Sequence, residues 1–331
     1  MRIAIDAMGG DHAPQAIVDG ALKAVAENPE LELVLVGIQD QVEAALGGNT
    51  PPQVSICHAP EVIRSDDHPL LSIRSKKNSS MIVAFDMLKN RQVSAVVSAG
   101  NTGALMAGAL FHVGLIPGIL RPALAPIMPC ASGEYMLIDG GANAECKPQN
   151  LLQFGMMGSI YMEMVLKKAN PRVALLNIGS EENKGGAILT ETYRMLKESK
   201  LNFIGNMESR DVMTASMDVL VTDGFSGNVM LKSIEGTALF IMGILKEEFT
   251  RSPITKLGAF CMKGGLNTLK GKMDYSHYGG AVLMGIDGCV VKAHGSSKPA
   301  SLSIAIHQAA DMVRGDVVGI ITSRIPEMKG E

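Results

Sequence analysis

Short runs of Ile, Val, Leu and Ala alternate along the chain with longer stretches in which apolar residues recur every three or four positions. The short runs predict strands at residues 2–6, 31–36, 53–57, 94–98, 124–128, 135–139, 172–177, 202–204, 218–222 and 288–292. The longer stretches predict helices over residues 14–26, 79–90, 103–113, 151–166, 185–198, 227–248 and 300–323. Near-continuously apolar strands alternating with helices imply a mostly parallel sheet covered on both faces. No Pro/Gly/Ser-rich linker, low-complexity segment or repeat interrupts the pattern, so residues 1–331 are expected to form one α/β domain. Residues 252–273 break the alternation and predict a helical hairpin added to it.

Composition narrows the class. The chain has 331 residues, 47% hydrophobic and 19% charged, which is globular rather than disordered. A net charge of −3 leaves no general footprint for nucleic acid, and the absence of Trp removes the best stacking platform for bases. The five Cys are scattered, with no Cys-x-x-Cys, which argues against a disulfide framework or zinc and fits a reducing cytoplasm. The first residues enter a strand-like run without a signal-peptide pattern. No run of about 20 apolar residues is evident, so a soluble protein is expected, attached to a membrane at most by its surface.

The informative positions are the strand ends. Asp6-Ala-Met-Gly-Gly-Asp11 follows the first strand and Ser98-Ala-Gly-Asn-Thr-Gly103 the fourth. Asp139-Gly-Gly-Ala-Asn143, Asn177-Ile-Gly-Ser-Glu-Glu-Asn-Lys-Gly185, Thr222-Asp-Gly-Phe-Ser-Gly-Asn228 and His294-Gly-Ser-Ser297 continue the series. Glycine lets a backbone approach a ligand closely, and a helix N-terminus offers free N–H groups to an anion. In an open parallel sheet such loops converge on one crevice. A Walker A loop, a Gly-x-Gly-x-x-Gly after the first strand and a Gly-x-Ser-x-Gly elbow are all absent. The set suits a small anion or a phosphorylated acyl group better than a dinucleotide.

Taken with Lys76-Lys-Asn-Ser-Ser-Met81, Arg121-Pro-Ala-Leu-Ala125, Gly205-Asn-Met-Glu-Ser-Arg-Asp211 and Tyr278-Gly-Gly-Ala281, these loops resemble the phosphate acyltransferase (PlsX) family over essentially the whole chain. Glu145 stands where that family is expected to carry Asp. The resemblance implies a homodimeric, three-layer α/β/α fold similar to the isocitrate and isopropylmalate dehydrogenases. It implies transfer of a long-chain acyl group from acyl-acyl carrier protein to inorganic phosphate, feeding a downstream glycerol-3-phosphate acyltransferase in bacterial phospholipid synthesis. Neither a metal nor a cofactor is implied.

The reaction would be attack of a phosphate oxygen on a thioester carbonyl, so the site must orient phosphate and stabilise an oxyanion. Lys184 is the candidate cation for phosphate, Asn228 the candidate oxyanion donor, and His294 the candidate to orient phosphate or protonate the leaving thiolate. Candidate binding positions are Gly9, Gly10, Gly100, Asn101, Thr102, Gly103, Asn143, Asp223, Gly224, Ser226, Gly227, Gly295 and Ser296. A covalent acyl-Cys at Cys146, beside Lys147, is a rival mechanism. A dehydrogenase on the same kind of fold and a non-catalytic membrane-recruited scaffold are rival functions. In the hairpin, Arg251, Lys256, Lys263, Lys270 and Lys272 are interleaved with Ile254, Leu257 and Phe260, with no acidic residue between Glu248 and Asp274. That pattern suits an anionic membrane surface, an acidic carrier protein or a dimer contact.

Overall fold

A computed structural model describes residues 1–48, 50–266 and 279–328. Eleven strands form one sheet in the order β3-β2-β1-β4-β11-β10-β5-β6-β9-β7-β8. They are β1 (Arg2–Asp6), β2 (Glu32–Gly37), β3 (Val54–His58), β4 (Ala95–Ser98), β5 (Ala123–Cys130), β6 (Gly133–Ile138), β7 (Arg172–Asn177), β8 (Asn202–Glu208), β9 (Val219–Val221), β10 (Ala281–Met284) and β11 (Cys289–Lys292). Nearly every residue of β1, β2, β4 and β11 is buried, as expected of strands covered on both faces.

Side chains alternate across the strands and so sort the helices into two layers. Ile3, Ile5, Met136 and Ile138 face α1 (Gln15–Glu27), α6 (Pro148–Met164), α10 (Pro299–Arg314) and α11 (Val317–Met328). On the other face Ala4 and Val96 meet α4 (Ser80–Lys89) and α5 (Thr102–Gly108), while Leu137 and Leu220 meet Met230 and Leu231 of α8 (Gly224–Thr250). This is the three-layer α/β/α arrangement. The structure also has α2 (Gln39–Leu46), α3 (Pro69–Ser75), α7 (Ala187–Glu198) and α9 (Pro253–Cys261), with a π-helical turn closing α5 at Ala109–Val113.

Most strand pairs are parallel, yet the sheet has two directions. β3, β2, β1, β4 and β11 run one way, and β10 is antiparallel to both β11 and β5. β5 is antiparallel to β6, after which β6, β9, β7 and β8 are mutually parallel. The glycine loops therefore do not converge at one sheet edge. They form two sets whose strands end at opposite edges.

Three further expectations change. The helix expected over 300–323 is two helices, α10 and α11, separated at Gly315 and Asp316, the latter with φ of 45°. The helix expected from 227 starts at Gly224, because Asp223 caps it. At 27 residues α8 is also, by length and composition, apolar enough to cross a membrane, although no such stretch was expected. Of the expected hairpin, α9 forms the first arm; residues 267–278, with Lys270 and Lys272, lie outside the described residues.

Candidate active site

The first loop set is built around a buried carboxylate. Asp6 ends β1, and its oxygens accept from Ser80 Oγ at 2.6 Å, Ser98 Oγ at 2.7 Å and the Met8 N–H at 3.3 Å. Burial pushes its pKa up, against the pull of the two hydroxyls. The Asp6 and Ser98 turns touch so closely that a Cβ on Gly9 would lie 2.7 Å from the Gly100 nitrogen. Gly10, at φ of 111°, packs against the Gly295 carbonyl, which also accepts from the Asp11 N–H at 2.8 Å. Asn101 caps α5, its Oδ1 accepting from the Ala104 N–H at 2.9 Å, and its Nδ2 donates to the Ser65 carbonyl at 2.9 Å. Gly103 packs on Pro69, while Thr102 is exposed.

These loops enclose a cavity of about 540 Å³ whose walls include Gly10, Gly100, Thr102, Gly295 and a residue the sequence reading passed over, Lys292. Lys292 ends β11, is 8% exposed, and has its pKa lowered to about 8 by burial. Two residues after Lys292, His294 Nδ1 lies 2.9 Å from Ser296 Oγ and accepts from the Ser296 N–H at 3.3 Å. A neutral ring held this way carries its proton on Nε2. Burial, followed by the charges of Lys292 and Lys232, lowers the His294 pKa, so the ring is neutral at pH 7.

In the second set Asp139, fully buried, accepts five N–H bonds: from the backbones of Leu124, Gly141, Ala142 and Asn143 and from Asn143 Nδ2, at 2.7 to 3.0 Å. Asn143 also donates to the Pro122 carbonyl, and its own carbonyl accepts from the Gly224 N–H. Asp223 binds the Ser226 N–H and hydroxyl at 2.8 and 2.9 Å. Asn143, Asp223, Gly224 and Gly227 thus anchor α8 against the sheet, a structural duty for four positions expected to bind substrate. Asp223 and Ser226 nevertheless separate two cavities. One, of about 890 Å³, includes Arg121, Cys146 and Lys147; the other is an apolar groove of about 780 Å³ along α8, including Phe225, Val229 and Ile241. Burial, with Asp139 nearby, pushes the Cys146 thiol up to about 11, leaving almost no thiolate for covalent catalysis.

The three expected catalytic residues are not gathered at one point: Asn228 lies against Gly141 of the second loop set, His294 belongs to the first, and Lys184 is exposed. Asn228, in the second turn of α8 rather than at its start, shares a helix flank with Lys232 and Glu235, at i, i+4 and i+7. Lys232 and Glu235 pair at 2.7 Å, and both act electrostatically on His294. Glu235 also lines the apolar groove. Lys184 belongs to the loop after β7, on the side of the second set, but does not enter the cavities there. It is exposed on the loop before α7, pairs with Glu181 at 3.8 Å and lines none of the three cavities, because Asn177 Nδ2 holds its carbonyl and turns the loop outward.

A three-layer α/β/α sheet thus carries two sets of glycine loops, one of them around a buried lysine. Residues 1–319 match the family described as fatty acid synthesis protein. The phosphate acyltransferase of Thermoanaerobacter pseudethanolicus is 48% identical over 331 residues, covering 100% of this chain and 99% of that protein. This chain belongs to the phosphate acyltransferase (PlsX) family, and it is an acyltransferase acting on phosphate. Among solved structures, a phosphotransacetylase from Streptococcus pyogenes superposes with a TM-score of 0.62 at 14% identity, over 95% of this chain and 94% of that one. A 4-hydroxythreonine-4-phosphate dehydrogenase from Klebsiella pneumoniae gives 0.54 at 12% identity, over 95% and 97%. At those identities the likeness concerns the fold alone.

Proposed function

We propose that the enzyme transfers a long-chain fatty acyl group from acyl-acyl carrier protein to inorganic phosphate, supplying acyl phosphate to a glycerol-3-phosphate acyltransferase in phospholipid synthesis. The observation that carries this reading is Glu235, which lines the apolar groove and acts electrostatically on His294. On one side the glycine loops, His294 and the Asn228 flank of α8 suit phosphate and a developing oxyanion. On the other, the apolar groove accommodates an alkyl chain.

In this mechanism a phosphate oxygen attacks the thioester carbonyl carbon, the C–S bond breaks, and the thiolate of the carrier leaves and takes a proton. Phosphate dianion is already nucleophilic at neutral pH, so positioning matters more than a strong base. Asn228 donates its amide to the carbonyl oxygen as charge develops there. Neutral His294 donates from Nε2 to phosphate; its lowered pKa favours that role over supplying a proton. Gly9, Gly10, Gly100, Thr102, Gly103, Gly295 and Ser296 shape the phosphate side, and Asn101 fixes the Ser65 loop that closes it.

The acyl carrier protein, acidic as a class, would dock on basic surface such as Lys76–Lys77 or the α9 arm. We further propose a homodimer, located in the cytoplasm and held peripherally on anionic membrane through residues 252–273. The test is acyl phosphate formation from palmitoyl-acyl carrier protein and inorganic phosphate. Wild type should form phosphate-dependent product. Asn228→Ala and His294→Ala should each lower kcat/KM by about 10²-fold, the scale of one lost oxyanion or orienting contact, whereas Lys184→Ala should retain activity. No product from folded wild type overturns the reading.

A further inference from the structure

The interior of the first loop set holds a charge that nothing in the architecture requires. Lys292 is 8% exposed, at the carboxyl end of a strand whose other residues, Cys289, Val290 and Val291, are buried core. An ammonium there is costly unless it is paired. No carboxylate pairs with it among the described residues, and its single hydrogen-bond acceptor is the carbonyl of its own neighbour, Ala293. An ammonium has three N–H donors, so two have no protein acceptor among those residues. Asp6 is near enough to act on it electrostatically, but the Asp6 oxygens are occupied by Ser80, Ser98 and the Met8 N–H. Asp11, the other carboxylate acting on it, is exposed.

The surroundings fit the uncommitted donors. Lys292 lines the 540 Å³ cavity with Gly10, Gly100, Gly103 and Gly295, where missing side chains let an anion reach the backbone. Arg64, Asp11 and Asp66 also line it, one cation against two carboxylates, so the buried ammonium is what brings the lining to neutrality. Because Lys292 belongs to a central strand, its position is fixed more firmly than that of a loop lysine.

We infer that Lys292 is the cation that holds inorganic phosphate in this enzyme, in the cavity between the Asp6–Asp11, Ser98–Gly103 and His294–Ser297 loops. The inference deepens the acyl-transfer reading and rests on it only for the identity of the anion. Lys292 would donate to phosphate while His294, next in chain to the cavity-lining Gly295, would orient the ion toward the thioester.

Isothermal titration of the full chain with inorganic phosphate tests this without turnover. Lys292→Met should weaken phosphate binding by about tenfold or more, the worth of one charged hydrogen bond. It should raise KM for phosphate similarly and leave KM for acyl-acyl carrier protein unchanged; Lys292→Arg should recover part of the binding. Lys184→Ala should bind phosphate as wild type does. As a check free of substitutions, phosphate should slow reductive methylation of Lys292 in the wild-type protein, followed by mass spectrometry. Wild-type phosphate affinity in folded Lys292→Met, or labelling of Lys292 unaffected by phosphate, would overturn the inference. Lys292-dependent phosphate binding in a wild-type enzyme that makes no acyl phosphate would instead retire the acyl-transfer reading and leave this one standing.

Discussion

At the scale of single residues, the fold carries charges where an apolar side chain would be safer. The Lys292 pKa falls from an ordinary 10.5 to about 8 through burial, against the opposing pull of Asp6 and Asp11 and with Lys232 adding to the fall. At about 1.36 kcal/mol per unit, the native state bears roughly 3 kcal/mol for this charge below pH 8. Between pH 8 and 10.5 the unfolded chain binds more protons at this site than the native one, so stability rises with pH across that window and the penalty is gone above it. Lys292→Met should therefore unfold at higher urea than wild type at pH 7, and the advantage should shrink steadily between pH 8 and 10.5. An equal or lower midpoint at pH 7 would mean that the ammonium is better paired than its contacts indicate. A variant more stable but weaker in phosphate binding is the signature of a functional rather than structural lysine. Asp139 makes the opposite case. Five N–H donors converge on it, so Asp139→Ala should cost several kcal/mol by leaving buried donors unmatched, read from the same denaturation curves.

Elements are placed by small residues as much as by large ones. A Cβ on Gly227 would overlap the Asp139 carbonyl oxygen, whereas one on Gly236, further along α8, would meet nothing within 4 Å. Gly227→Ala should destabilise the protein by about 1–3 kcal/mol or more, since backbone cannot yield as a side chain can. Gly236→Ala should stabilise it by about 0.5–1 kcal/mol through helix propensity. Opposite signs at two glycines of one helix, measured by urea midpoints, would establish which end of α8 is packed. The same helix shows what the sequence made legible. Its apolar periodicity was visible, but its start was hidden because Thr222-Asp-Gly-Phe-Ser-Gly-Asn228 offers two capping residues, and only the bond from Ser226 to Asp223 selects between them. Ten strands announced themselves by apolar runs; β10, four residues long, did not. Its omission had a large consequence, because β10 and β5 are where the sheet reverses direction, and strand direction leaves no mark in composition. The loops were thus found correctly as motifs and wrongly as one cluster. Lys292 escaped notice for a related reason. In Gly-Cys-Val-Val-Lys it reads as a polar strand end, and only burial distinguishes it from a solvated lysine such as Lys184.

For the whole molecule, the unexplained surface is apolar and lies away from the loops. Beyond Ile234, which packs against the sheet, α8 presents Leu239, Phe240 and Ile244 to solvent, and α9 presents Ile254, Leu257 and Phe260 with exposures of 83%, 65% and 73%. No α9 residue is buried. Isolated exposed apolar residues are unremarkable, but a continuous stripe marks an interaction surface. Two occupants are compatible with it, a second subunit along α8 and a lipid surface at α9, and they make different demands. A dimer contact tolerates salt and does not need Lys256 or Lys263, whereas attachment to anionic lipid combines insertion of apolar side chains with basic charge and weakens as ionic strength rises. Leu257→Asp combined with Phe260→Asp should abolish sedimentation with phosphatidylglycerol vesicles while light scattering still reports a dimer. Leu239→Asp combined with Ile244→Asp should do the reverse, yielding monomers. Should the α9 pair dissociate the dimer and leave vesicle binding intact, the hairpin is an intersubunit element and the proposed membrane attachment through residues 252–273 is wrong. If the prediction holds, the enzyme keeps its anion-binding loops in water and its apolar extension at the bilayer, where an acyl phosphate is released beside the membrane that consumes it.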